Sequence, residues 1–75
     1  LADEDQVLFN ALRALRRDLA KEHNVPPYVI FHDSTLQAMV QQRPQSLAEM
    51  ADISGIGQRK LDQYGADFLG VIREH

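Results

Sequence analysis

Two consecutive prolines, Pro26 and Pro27, divide this chain. Each ring holds φ at about −65° and removes an amide donor, so no helix runs through the pair. Val25 and Pro26 each precede a proline and are pushed towards extended or polyproline backbone. The stretch Asn24-Val25-Pro26-Pro27-Tyr28-Val29-Ile30-Phe31 therefore reads as a stiff loop. Val29, Ile30 and Phe31 supply an apolar anchor that holds it against a core. Tyr28, next to the rigid dipeptide, presents an aromatic ring with a polar tip.

On either side of this break the apolar residues recur at helical intervals. Leu8, Leu12, Leu15 and Leu19 share a narrow stripe at about 100° per residue, which predicts a helix over residues 5–23. Asp3, Glu4 and Asp5 sit where carboxylates favour a helix N-terminus, with Asp3 or Asp5 as the expected N-cap. Arg13, Arg17 and Lys21 fall opposite the leucines, with Arg16 at their flank. This basic stripe is either a solvated face or a surface that tracks phosphates. Asn24 suits the left-handed residue that ends such a helix.

After the prolines, Asp33 is the expected N-cap of a second helix over 34–42, with Leu36, Met39 and Val40 inward and Pro44 as its stop. Ser46 and Glu49 have capping-box spacing, so a short third helix over 47–51 should bury Leu47 and Met50. The Gly55-Ile56-Gly57 turn precedes a fourth helix over 58–64 with Leu61 inward. Gly65 is expected to break it, leaving a fifth over 66–73 with Phe68, Leu69 and Ile72 on one face. No segment alternates with period two. The fold class is all-α: a compact single-domain bundle of five helices, with the Pro-Pro loop between the first two and the Gly-Ile-Gly turn before the fourth.

At 75 residues without cysteine, the chain has neither a disulfide framework nor thiolate zinc ligands to staple it. A domain of this size buries only about 60% of the surface its unfolded chain exposes, so its stability rests on the patterned 44% of apolar residues. No apolar run approaches the roughly 18 residues a bilayer requires. The acidic start is unlike a targeting leader, which fits a cytoplasmic setting. Eleven carboxylates against eight cations give a net charge of −3, so any polyanion must be held by where the cations lie.

Few residues suggest reaction chemistry. His32-Asp33-Ser34 names the members of a hydrolytic triad, but adjacency in sequence does not create triad geometry. His23, His32 and His75 lack metal-ligand spacing, and no phosphate loop of the Walker kind is present. No catalytic or metal-binding residue is expected. The Gly55-Ile56-Gly57 turn, with Arg59 and Lys60 close behind, is either a plain corner or a hairpin whose amides hold a phosphate. Tyr28 is either a core aromatic with a wet hydroxyl or a stacking platform for an unpaired base.

Taken in order, these residues resemble the helicase-and-RNase-D C-terminal domain, HRDC. The resemblance runs from about Val7 to Ile72 and rests on Leu12-Arg13, Arg16 and Ala20, then Val25-Pro26-Pro27-Tyr28-Val29-Ile30-Phe31. Asp33, Thr35-Leu36, Pro44, Ser46-Leu47, Glu49-Met50, Gly55-Ile56-Gly57, Lys60-Leu61, Tyr64-Gly65 and Ile72 complete it. The Pro-Pro-Tyr-Val-Ile-Phe string looks more like RecQ-type DNA helicases than RNase D-type exoribonucleases. The resemblance implies one accessory domain over 1–75, with residues 1–4 as a linker remnant, at the C-terminal end of an ATP-dependent helicase. ATP and magnesium would belong to the motor, outside this chain. The domain would be monomeric in isolation and would modulate DNA engagement by weak single-strand contact or by contact with the helicase core. In a bacterium it would be associated with the nucleoid. The implied surface is Tyr28 with some of Arg13, Arg16, Arg17, Lys21, Arg59 and Lys60, and the turn at Gly55 and Gly57 would accept one more phosphate. Because the chain is acidic, a module that binds only protein is the alternative, and an accessory domain of an exoribonuclease is the third reading.

Overall fold

The structure, a computed structural model, describes residues 2–75. Its helices are α1 (Asp3–His23), α2 (Pro27–Ile30), α3 (Asp33–Gln42), α4 (Leu47–Ala51) and α5 (Gln58–Glu74), with no strand among the described residues. The long α1 packs against α2, α3 and α5, and α4 packs against α5. No helix among the described residues is long and apolar enough to cross a membrane.

Ala2, not an aspartate, occupies the N-cap of α1; Asp3, Glu4 and Asp5 form its first turn, where they face the positive end of the helix dipole. Of the linker expected at residues 1–4, Asp3 and Glu4 are thus helical, Ala2 is the extended cap, and Leu1 lies outside the described residues. Leu8, Leu12 and Leu19 are buried, and Leu15 lies at the edge of the core. Asn24 ends α1 in the left-handed conformation expected of it (φ 56°, ψ 47°), its amide donating to the Ala20 and Lys21 carbonyls.

The proline pair separates α1 from the next helix but is not all loop. Pro26 is extended, and Pro27 opens the single turn α2. A proline at the first helical position loses nothing, because its missing N–H would have no partner there. That turn rotates Tyr28 and Val29 outward while Ile30 and Phe31 enter the core. Val29, expected in the anchor, is 39% exposed. Phe31 meets Phe68 and Tyr64 of α5 edge-on at 5.0 and 6.3 Å, which ties the loop to the far side of the bundle.

His32 caps α3, and Asp33, expected there, is its first residue with its carboxylate turned to Arg16. Arg43 closes α3 in a left-handed conformation, and its guanidinium reaches Asp5 at 3.0 Å and the His75 carbonyl at 3.1 Å. Ser46 Oγ accepts the Glu49 amide at 3.1 Å, but Glu49 accepts from the Gln45 amide rather than from Ser46 itself. Met50 is buried as expected, whereas Leu47 remains 43% exposed.

Gly65 does not break a helix: α5 runs through it for 17 residues. A β-carbon at Gly65 would lie 2.9 Å from Leu61 Cδ1 and 3.1 Å from Leu47 Cδ2, so the bare backbone lets α4 approach α5. A mid-helix glycine costs about 0.5–1 kcal/mol, less than burial of Tyr64, Phe68 and Ile72 on the same continuous helix contributes. Among the described residues there are still five helices, because the α2 turn is added where the break in α5 is lost.

Candidate nucleic-acid interface

Pro27 is the point at which three shallow clefts meet. The first is walled by Asn10, Arg13, Ala14, Arg16 and Arg17 of α1. The second runs between Arg17, Ala20 and Lys21 and the Asn24-Val25-Pro26 segment. The third contains Arg16, Tyr28, His32, Asp33 and Ser34. Arg13, Arg17 and Lys21 are exposed, and their four-residue spacing puts successive cations about 6 Å apart along the helix. The stiff loop thus lies along the basic stripe rather than over it.

Tyr28 is 59% exposed, so the core-aromatic reading does not hold for it. Its ring stacks on His32 with centroids 6.1 Å apart and planes inclined by 24°. Arg13 packs over the Phe9 ring at 5.8 Å. Arg17 lies 3.5 Å from Asp18, but both side chains are well exposed, and such a pair holds its members weakly. Asp18 and Glu22 line none of the clefts around Pro27; Asp33 is the carboxylate that does.

Arg16 departs from its expected role as a phosphate contact. It is only 9% exposed, and one guanidinium nitrogen, Nη1, both donates to the Phe31 carbonyl at 3.0 Å and lies 2.7 Å from Asp33 Oδ1. Its Nε is buried without a partner. The group is committed to the protein: it bridges α1 to the Phe31 carbonyl and the Asp33 side chain, on either side of His32, and offsets the carboxylate that lines the Tyr28 cleft. From the sequence it was one more arginine on the flank of a stripe.

The remaining expected residues lie elsewhere. Gly55 has φ of +94°, and a β-carbon there would come within 2.5 Å of Thr35 Oγ1, so the turn is pressed against the first turn of α3. Gly57 is the N-cap of α5 and has open space around it. Arg59 is exposed and Lys60 half-buried, and neither lines a cleft shared with Pro27. The structure therefore gathers Tyr28, Arg13, Arg17 and Lys21 and leaves Arg59 and Lys60 at a separate corner. His32 reaches Tyr28 across the extended residues between α2 and α3, so no helical spacing rule signals this contact in the sequence.

Among the described residues no group of three or more histidine, cysteine, aspartate or glutamate side chains is arranged to hold a metal ion. Residues 5–72 match the model of the HRDC domain family. The chain is 45% identical over 75 residues to the ATP-dependent DNA helicase RecQ of Haemophilus influenzae, covering all of this chain and 12% of that protein. It is 47% identical over 72 residues to the ATP-dependent DNA helicase UvrD2 of Mycobacterium tuberculosis, covering 96% of this chain and 10% of the helicase. The chain thus spans about an eighth or less of the length of these relatives. Among solved structures, the D. radiodurans RecQ HRDC domain 3 superposes with a TM-score of 0.90 at 37% identity, covering 93% of this chain and 92% of that one.

Proposed function

The chain belongs to the HRDC domain family, and from that premise we propose that it is a non-catalytic accessory domain of a larger ATP-dependent DNA helicase. Its task on this reading is to tune DNA engagement through weak, sequence-independent contact with single-stranded DNA. The observation that carries the proposal is the exposed Tyr28 ring beside clefts walled by Arg13, Arg17 and Lys21. A base stacks on the ring, while the three cations meet the phosphates that follow. Arg16 acts by holding the loop, and the Gly55-Ile56-Gly57 turn with Arg59 and Lys60 is a secondary contact. ATP and magnesium would be bound by the motor, and the setting would be the nucleoid of a bacterium.

The parent is read as RecQ-type from the RecQ relatives; the UvrD2 likeness makes a second class of DNA helicase the alternative parent. These relatives favour a helicase parent over an exoribonuclease. Contact with protein is the competing mode, favoured by the net charge of −3 and by a largely apolar groove between α4 and α5, where Leu47, Ala48, Ala51, Leu61 and Ala66 are joined by Gln58 and Asp62.

Anisotropy of a labelled single strand, read at several salt concentrations, separates the modes. Three neutralised phosphates give a slope of log affinity against log salt of about −2. Tyr28→Ala should weaken binding by about 1–3 kcal/mol with little change in slope. A wild-type domain silent even at low salt would leave docking to protein as the surviving mode.

A further inference from the structure

The nucleic-acid reading assigns one ring to base stacking, but the surface offers two. His32 is exposed, lines the same cleft as Tyr28, and lies nearly parallel to it at 6.1 Å. That separation and tilt belong to the offset-stacked range in which aromatic rings attract one another. We infer that His32 is a second nucleic-acid-binding residue, and that Tyr28 and His32 form a single two-ring platform for the unpaired bases of single-stranded DNA. The inference rests on the single-strand reading above and adds a residue to it.

The pair has the properties such a platform needs. A lone tyrosine on a one-turn helix keeps its side-chain freedom, and ordering it on binding weakens the complex. Here the imidazole restrains the phenol before any base arrives. His32 is itself held on both sides, because Arg16 Nη1 binds the Phe31 carbonyl before it and the Asp33 carboxylate after it. The Arg16 contact also offsets the one carboxylate in the cleft, so phosphates flanking a stacked base meet less repulsion. Neither ring is needed for the core, which is filled from this segment by Ile30 and Phe31. A bland explanation, in which His32 serves only to cap α3, does not account for it: its side chain makes no capping hydrogen bond.

The test is anisotropy of labelled oligothymidylate at low salt and fixed pH with wild type, Tyr28→Ala, His32→Ala and His32→Phe, alongside thermal melts. His32→Ala should weaken binding about fivefold, and His32→Phe should restore it to within about twofold, because any π-face of similar size stacks a base. Both variants should melt with wild type and keep its salt slope, since no phosphate contact is removed. If Tyr28→Ala weakens binding while His32→Ala does not, the two-ring platform is wrong and the single-strand reading stands. If His32→Phe fails to restore what His32→Ala loses, ring stacking is not the cause and the inference is again overturned. If wild type does not bind, both readings fall together.

Discussion

Replacing Arg16 by methionine separates two roles for one residue. Methionine keeps much of the buried, unbranched stem and removes the guanidinium. The charged hydrogen bond to the Phe31 carbonyl, 3.0 Å long and buried, contributes about 1.5–3 kcal/mol. The Asp33 carboxylate is 67% exposed, so its pair with Arg16 adds at most about 1 kcal/mol. Against these stands relief of the buried, unpartnered Nε and of the desolvated charge. The balance is a net loss of about 2 kcal/mol, which lowers the melting temperature of a domain this size by about 8–16 °C. Urea and thermal melts measure the loss, and a double-mutant cycle with Asp33→Asn should return a coupling below about 1 kcal/mol. Single-strand binding, measured well below the transition, supplies the contrast. A phosphate contact would lower the salt slope by about 0.7 and leave stability alone; the positioning role costs stability and leaves the slope unchanged. A variant as stable as wild type with a shallower slope would refute the reasoning.

Two stability measurements probe the scaffold beneath this surface. Gly55→Ala forces a β-carbon into the left-handed region and towards Thr35 Oγ1, so urea melts should show a loss of about 1–3 kcal/mol; a neutral result would mean that the turn relaxes freely. Leu12→Ala should cost about 2–5 kcal/mol because its side chain is fully enclosed, and Leu15→Ala distinctly less because it is only partly covered; equal losses in denaturant titrations would contradict that ordering.

Legibility in the sequence followed the range of the interactions concerned. The α1 stripe, the left-handed stop at Asn24, the break between α1 and α3 and the serine cap of α4 were readable, because each depends on residues within a turn of one another. The same local rules misplaced Gly65 and Leu47, which make sense only together: the glycine of α5 lacks the β-carbon that would crowd Leu47 of the neighbouring α4. Val29 failed for a related reason, since a single helical turn at Pro27 rotated it outward.

The sequence alone determined an all-helical chain with a rigid proline corner, a row of cations and a tyrosine beside it, because periodicity and the φ restriction of proline act locally. Only tertiary packing decided what those residues face. Fifteen positions separate Arg16 from the carbonyl it binds, and no spacing rule reports whether a cation is wet or enclosed. Folding the loop onto α1 took Arg16 out of the basic row, left Arg13, Arg17 and Lys21 at the surface, and set His32 against Tyr28. The division is physical: backbone propensity is a property of neighbours in the chain, whereas burial and charge environment are properties of neighbours in space.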